Sequence, residues 1–241
     1  MNNKFFIMAK NAFAFTLAET LIVIGVIGIV SALTLPNLNS STGEKEKVAK
    51  VKKIYQNLQD AFGRAEAVYG PYNDWFINDG NDEVKTAKRA GERITEFMKV
   101  SKTCGSGADT SGCFTNREAL GTDCNKESIY KIITADGSSI GFYPAADNII
   151  FVDIDGPTKG KFEGGHDVFL FEYNTDEHVV FPYGYTAKFS DLLNNIKPNG
   201  LRDMAATWII RYDNADYLQF KDGNGTCKNG NVVTEANPTC K

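Results

Sequence analysis

The sequence predicts an α+β protein in which a long N-terminal spine helix packs on an antiparallel β-sheet. Three observations lead to this fold class. An apolar run with almost no charge occupies residues 15–35, and apolar residues then recur at three- and four-residue spacing up to residue 69. From residue 128 onward, short runs rich in β-branched and aromatic residues alternate with Gly, Asn and Asp. A helix followed by strands that tight turns connect is typical of α+β domains.

The apolar run from Phe15 to Leu35 contains one charged residue, Glu19. As a helix that rises 1.5 Å per residue, the run would be about 31 Å long, close to the hydrocarbon thickness of a bilayer. A carboxylate in such a helix costs about 2.5–3.5 kcal/mol at the bilayer centre and less near an end. We therefore expect residues 15–36 to form a transmembrane helix in which Glu19 has a partner or reaches the headgroups. Pro36 is expected to kink or break it.

A second helical stretch is predicted over residues 37–70. Ser41 and Glu44 are spaced as a capping box, which is typical of a helix start. The apolar residues that follow lie on one face of a helix, and Gly70-Pro71 ends it. The spine helix thus has a membrane half and an amphipathic half. The apolar face consists of Val48, Val51, Ile54, Tyr55, Leu58, Ala61, Phe62, Ala65, Val68 and Tyr69.

The remainder, residues 71–241, is expected to form one globular domain that follows the helix. Asp82–Val100 is a helix candidate, and a cysteine-rich loop extends from Ser101 to Lys126. Ala135–Ser138 is typical of a hairpin turn between strands. The strand candidates are Ser128–Thr134, Ser139–Tyr143, Asn148–Ile154, Asp167–Tyr173 and Ala206–Tyr212.

Composition limits the classes of function. The net charge of −4 argues against general nucleic-acid binding. Five cysteines, none in a Cys-x-x-Cys pair, indicate disulfides and an oxidising compartment rather than a zinc site. Cys104, Cys113 and Cys124 can supply one pair between them, for which we choose Cys104 and Cys113.

Two short motifs match patterns that carry chemistry in other proteins. Gly137–Gly141 matches Gly-x-Ser-x-Gly, but a nucleophile elbow leads from a strand into a helix, whereas the residues that follow continue a strand. We expect no enzyme and no catalytic residue. Asp153–Gly156 starts like a calcium loop, yet the twelfth position is Gly164 instead of Glu, which excludes an EF-hand. A solvated loop between two strands is the favoured interpretation.

The N-terminus carries a specific resemblance. Ala14-Phe15-Thr16-Leu17-Ala18-Glu19, followed by an apolar helix and Pro36, resembles the prepilin N-terminus of type IV pilins and type II secretion pseudopilins. In that family a membrane aspartyl peptidase cuts just before a Phe and N-methylates the new terminus. A cut after Ala14 makes Phe15 the first mature residue, Glu19 the fifth and Pro36 the twenty-second, as in the family. Residues 1–14 are then the prepilin leader.

Two details of the leader bear on this resemblance. The family usually has Gly where this chain has Ala14. A cut after Ala12 would also expose a phenylalanine, Phe13, but it would put Glu19 out of register. The cut after Ala14 is therefore preferred.

The resemblance implies a structural subunit, minor or accessory, of a type IV pilus or a type II secretion pseudopilus. Glu19 would pair with the Phe15 amine of a neighbouring subunit, because a buried carboxylate is penalised unless it is paired. Prepilin peptidase, homologous subunits, the inner-membrane assembly platform and, before assembly, membrane lipid are the implied partners. The implied localisation is single-pass in the inner membrane with the C-terminal domain outside the cytoplasm, and then in a filament at the periplasm or cell surface.

The resemblance also extends to the C-terminal domain. Cys227 and Cys240 resemble the disulfide that closes the C-terminal loop of many pilins. Asp153, Asp155 and Asp167 loosely resemble the ligands of the loop in which some major pseudopilins hold calcium, so calcium is the one cofactor to test and none is required. The alternative function is an extracytoplasmic binding protein or adhesin on an uncleaved single-pass anchor.

Overall fold

The computed structural model describes residues 17–108, 112–114, 118–120, 122–144 and 148–241. The chain divides into two compact units, Met1–Gly43 and Glu44–Lys241. Helix α1, Leu17–Tyr69, begins in the first unit and ends in the second. The helix includes Pro36, so the break predicted there is not found. It also includes Ser41, and the capping box does not start a second helix because the preceding residues are already helical.

The prediction of a membrane-spanning spine helix is wrong. The apolar side chains that the structure describes in the first unit extend from Leu17 to Val30. This is about 21 Å of helix, against roughly 30 Å for the bilayer core. Among the described residues, no helix combines the length and the apolar character needed to cross a membrane. The fold class is corrected to α+β without a transmembrane spine. The predicted single-pass localisation in the inner membrane is wrong for the same reason.

In the second unit, α1 packs on a sheet through one apolar face. The buried residues of this face are three or four positions apart, which places them on one side of the helix. Phe62 stacks on Tyr173 with ring centroids 4.5 Å apart, and Tyr55 stacks on Phe171 at 5.9 Å. The fully or almost fully buried residues of this face are Val48, Val51, Ile54, Leu58, Ala61, Phe62 and Ala65.

The sheet is an antiparallel meander of six strands. A separate two-stranded hairpin, β2 and β3, lies between its first two strands in sequence. From β4 to β8 each strand pairs with the next one along the chain, and β1 pairs with the free side of β4. The strands are β1 Val100–Gly105, β2 Glu118–Ala119, β3 Thr122–Asp123, β4 Tyr130–Thr134, β5 Ser139–Tyr143, β6 Ile149–Asp153, β7 Val168–Asn174 and β8 Val179–Pro182.

Both faces of this sheet are buried, because successive side chains of a strand point to opposite faces. In β7, Phe169 and Phe171 belong to the core that includes α1, whereas Val168 and Leu170 belong to a second core on the other face. We call this second core the outer-face cluster. Its buried members are Cys113, Phe114, Cys124, Ile129, Tyr143, Phe151, Phe162, Val168 and Leu170.

Three short helices complete the second unit: α2 Glu83–Thr95, α3 Phe189–Ile196 and α4 Ala205–Tyr212. Two 3-10 helices, Tyr72–Phe76 and Asp216–Gln219, lie after α1 and α4. Asp82 is the N-cap of helix α2, and its Oδ1 accepts the Lys85 N–H at 3.1 Å. This N-cap agrees with the predicted start of the helix at Asp82.

Several predicted elements differ from the observed ones. The strand predicted over Ala206–Tyr212 is helix α4, whose buried residues 205–209 are consecutive, a short apolar run for which periodicity does not distinguish a strand from a buried helix. The helix predicted over Asp82–Val100 ends at Thr95, and β1 begins at Val100. Strands β1 and β8 and helix α3 were not predicted.

The free edge of β8 is closed by a side chain of α1. Gln59 Nε2 donates to the Val180 carbonyl oxygen at 2.7 Å, and the Val180 N–H donates to Gln59 Oε1 at 3.1 Å. Val180 is fully buried, so water cannot replace these two bonds. The amide of Gln59 therefore takes the place of a neighbouring strand at this position.

Replacing Gln59 should test this closure. Gln59→Met keeps the side-chain length but leaves the Val180 N–H and C=O buried without partners, so the free energy of unfolding should fall by about 2 kcal/mol. Chemical denaturation at constant pH measures the change. Gln56→Met, at an exposed position three residues earlier, is the matched control and should change it by less than about 0.5 kcal/mol. Equal losses in the two variants would contradict the closure.

Candidate functional site

The residues that the prepilin resemblance singles out lie at the N-terminus. Ala14 and Phe15, the predicted cleavage site, lie outside the described residues. Glu19 and Pro36, the predicted assembly residues, lie within helix α1, but their side chains are outside the described part of the chain. The structure therefore places the backbone of these two residues and leaves their roles as predictions.

The first unit presents an apolar helix surface, which we define as the nine aliphatic residues named at the end of this paragraph. Their side chains are 53–80% exposed. Four of them are consecutive, and because successive residues are about 100° apart, together they reach every side of the helix. A surface helix of a globular protein has one apolar face, whereas this segment of α1 has apolar residues on every side. The residues are Leu17, Leu21, Ile22, Val23, Ile24, Val26, Ile27, Ile29 and Val30.

The three aspartates predicted as calcium ligands lie around the loop between β6 and β7. Asp153 is fully buried at the end of β6, and its Oδ1 accepts the N–H groups of Asp155 and Gly156 at 3.0 and 3.1 Å. Gly156 has φ +74°, and a Cβ there would lie 2.2 Å from the Gly137 carbonyl oxygen. This turn therefore requires glycine and rests directly on the β4–β5 turn.

Asp167 and Asp155 have different partners. Asp167 is buried, and its carboxylate accepts the backbone N–H groups of Lys161, Phe162 and Glu163, the last two at 2.8 and 2.6 Å. It thus organises the loop that precedes it. Asp155 is partly exposed and lies 3.4 Å from Lys50 Nζ of α1. All three carboxylates are therefore already engaged by protein groups through at least one oxygen.

Asp153 is the aspartate with an unusual environment. Its Oδ2 has no hydrogen-bond partner among the described residues. Burial, together with the charges of Asp167 and Asp155, raises its pKa to about 7. Within the described residues, no three His, Cys, Asp or Glu side chains are grouped so that they could hold a metal ion. Calcium binding by this loop stays a prediction.

Both disulfide pairs named from the sequence are present. Cys104 is bonded to Cys113, and Cys227 is bonded to Cys240. Asp216 fixes the C-terminal loop, because its Oδ2 accepts the Cys240 N–H at 2.7 Å and the Thr239 hydroxyl at 2.9 Å. These contacts attach the last residues of the chain to the domain core.

The segment that matches Gly-x-Ser-x-Gly is the turn between β4 and β5 and the start of β5. Ser138 is buried and its hydroxyl donates to the Ile154 carbonyl oxygen at 3.1 Å. The strand–turn–helix of a nucleophile elbow is absent here, because β5 follows the turn. His178, one of the two histidines, bonds Glu66 of α1 through Nδ1 at 3.0 Å.

One chemically unusual residue escaped the sequence reasoning. Lys131 in β4 is fully buried, and its Nζ donates to the Lys126 carbonyl oxygen at 2.7 Å. Burial lowers its pKa to about 8, although Asp123, Cys124 and Glu127 act in the opposite direction. The sequence did contain a signal for this buried lysine. In the predicted strand, Lys131 lies two residues from Ile129 and from Ile133, so it shares their apolar face.

Comparison with known proteins does not assign the chain to a family. No family model matches the chain, and neither a curated protein nor a solved structure matches it. The function is therefore argued from the residues themselves.

The pH dependence of stability should report on Asp153. The folded protein keeps this proton up to about pH 7, whereas an ordinary aspartate releases it near 3.8. Between these values the folded state binds more protons than the unfolded state, so the free energy of unfolding should fall as pH rises. The fall should be at most about 1.4 kcal/mol per pH unit.

Asp153→Asn should remove this slope, because Asn does not ionise and its Oδ1 can still accept the two N–H groups of the turn. Denaturation curves at several pH values between 4 and 8 measure it. Asp176→Asn, at an exposed position outside this loop, is the matched control and should keep the slope of the original chain. An unchanged slope in Asp153→Asn would show that another group carries the pH dependence.

Proposed function

We propose that this chain is a structural subunit, minor or accessory, of a type IV pilus or a type II secretion-type pseudopilus. It is processed between Ala14 and Phe15 by a prepilin peptidase, and it assembles with like subunits through the N-terminal part of α1. The apolar helix surface is the observation that carries the proposal.

The energetics of that surface favour association. Burying one aliphatic side chain of this size contributes about 1.5–3 kcal/mol relative to leaving it in water. Nine such side chains are more than half exposed. Since they reach every side of the helix, one partner would cover only part of them. A bundle with several like helices around each one, as in a helical filament, would cover them all.

Glu19 then limits how these helices can associate. Inside an apolar bundle a lone carboxylate is strongly penalised, whereas one paired with an amine is penalised far less. A cut after Ala14 would create an amine at Phe15, four residues before Glu19. Pairing between the Phe15 amine of one copy and Glu19 of the next would select one register among the many that apolar contact alone allows.

The second unit carries two disulfides. Its two disulfides are typical of proteins that fold in an oxidising environment. The Cys227–Cys240 bond closes a loop of 14 residues, and the chain-entropy relation gives about 3 kcal/mol for a loop of this size.

Processing is tested by co-expressing the full chain with a prepilin peptidase. The mature protein should begin at Phe15 and carry an N-methyl group, which N-terminal sequencing and intact mass detect. A terminus that remains Met1 would overturn the proposal.

Glu19→Ala separates processing from assembly. This variant should be cut normally but fail to form filaments, because the Phe15 amine loses its partner. Thr20→Ala, at the adjacent exposed position, should be cut and should assemble. Electron microscopy and sedimentation of co-expressed subunits distinguish the outcomes. Filaments of Glu19→Ala as abundant as those of the original chain would contradict the role of Glu19.

The apolar helix surface has its own test. Ile24→Lys places a charge on it and should abolish assembly, because the ammonium would be buried among aliphatic side chains. Val68→Lys alters an apolar residue that is also exposed, at 63%, but lies in the second unit, so assembly should persist. Both variants should unfold like the original chain. Loss of assembly in both would point to a general effect of added charge.

A further inference from the structure

The sequence contains three matches to Asn-x-Ser/Thr, the pattern in which an oligosaccharyltransferase attaches a glycan to the asparagine when x is not proline. The matches begin at Asn39, Asn224 and Asn237. A proline follows Asn237 and excludes it, and Asn39 lies within helix α1. The match that begins at Asn224 is the one that lies in a loop of the second unit.

This asparagine belongs to the turn of a short hairpin near the C-terminus. Phe220 and Cys227 pair as an antiparallel bridge, and both are almost fully buried. Next to this bridge, the Lys221 N–H donates to the Thr226 carbonyl oxygen at 2.7 Å. The base of the hairpin is therefore part of the core, and residues 222–225 form the turn that connects its two sides.

Asp222 determines the shape of the turn. Its Oδ1 accepts the N–H groups of Asn224 and Thr226 at 2.9 and 3.1 Å. Gly225 has φ +77°, and a Cβ there would lie 2.5 Å from Cγ2 of Val233, so this position requires glycine. The backbone of the whole Asn-x-Thr pattern is thus held in one conformation by contacts within the second unit.

The side chain of Asn224, in contrast, is not used by the fold. It is exposed, and its amide has no hydrogen-bond partner among the described residues. Neighbouring asparagines differ from it. The amide of Asn229 donates to the Cys240 carbonyl oxygen, and the amide of Asn214 donates to the Pro238 carbonyl oxygen at 3.0 Å. These two asparagines have a structural role that Asn224 lacks.

The surroundings of Asn224 fit the requirements of the transferase. In bacteria the enzyme also requires an acidic residue two positions before the asparagine, and Asp222 has this position. The hairpin carries Cys227, which is bonded to Cys240. Disulfides persist in oxidising compartments, and an asparagine of this pattern is glycosylated in proteins that enter such compartments.

We propose that Asn224 is the acceptor of an N-linked glycan, which an oligosaccharyltransferase supplies from an oligosaccharide carried on a lipid pyrophosphate. The Nδ2 atom of Asn224 forms a bond with the anomeric carbon of the oligosaccharide. The bond between that carbon and the pyrophosphate oxygen breaks, and the released lipid pyrophosphate takes up the proton that Nδ2 loses. The transfer needs no oxidant or reductant.

The glycan would extend from the tip of the hairpin into solvent. Because the Asn224 amide makes no contact within the second unit, no hydrogen bond is lost when it is modified. Glycosylation at this position does not require assembly through α1, so the inference and the proposed filament function can succeed or fail separately.

In vitro glycosylation tests the proposal on the folded full chain with both disulfides formed. The chain is incubated in detergent with a bacterial oligosaccharyltransferase and its lipid-linked oligosaccharide. A synthetic Asp-x-Asn-x-Thr peptide, which is glycosylated in the same reaction, shows that the enzyme is active. We expect the intact mass to increase by one oligosaccharide, and the glycan to map to Asn224. An unmodified chain beside a glycosylated peptide, or a glycan on another asparagine, would overturn the proposal.

Four variants sharpen the result. Asn224→Gln and Thr226→Val should abolish the mass increase, whereas Thr226→Ser should keep it because the hydroxyl remains. Asn237→Gln is the matched control, at an exposed asparagine of the same disulfide loop, and should be glycosylated like the original chain. Near-ultraviolet circular dichroism checks that each variant is folded. A glycan that persists in Asn224→Gln would overturn the assignment, whatever Thr226→Val does to folding.

Discussion

The packing of α1 across one face of the sheet is the constraint on which the second unit depends. Helix and sheet meet through rings as well as aliphatic side chains, with Phe62 stacked on Tyr173 and Tyr55 on Phe171. The same helix supplies polar contacts at the margins of this interface. Gln59 closes the β8 edge, and the Glu66 carboxylate accepts the Tyr72 N–H at 2.7 Å just after the helix ends. One helix therefore covers the sheet, protects its edge and orients the following turn.

The opposite face of the sheet is covered by loops instead of a helix, and this explains its unusual chemistry. Loops have few regular backbone hydrogen bonds, so ordering them needs cross-links and side-chain bonds to the backbone. The Cys104–Cys113 disulfide and the three N–H bonds to Asp167 have this role. Lys131 belongs to the same arrangement, because it ties β4 to the carbonyl of Lys126. The loop-covered core is thus stabilised by a cross-link and by side-chain bonds to the backbone.

Sequence patterns correctly predicted the elements in which the preference of the residues for helix or strand agrees with how the element packs in the fold. Strand β5 has the predicted bounds, Ser139–Tyr143, because turn residues precede it and its side chains alternate between the two faces of the sheet. Helix α4 was mistaken for a strand because Thr207, Ile209 and Trp208 favour strands and because its buried residues, 205–209, are consecutive, as in a fully buried strand. Strand β1 was missed since an exposed edge strand, Val100–Gly105, needs few apolar residues. The roles of Asp153 and Asp167 were beyond sequence reasoning, because their partners are backbone N–H groups that only the folded loop brings near.

The charge register proposed for Glu19 does not depend on a bilayer. Run length alone suggested a membrane span, and among the described residues no helix meets that requirement. The penalty for an unpaired carboxylate, however, arises from any apolar surroundings, including a bundle of protein helices. The apolar helix surface from Leu17 to Val30 would provide such surroundings once several copies associate. An amine four residues away in a neighbouring copy would relieve the penalty in one register only, so the spacing of Phe15 and Glu19 would select the register that apolar contact leaves open.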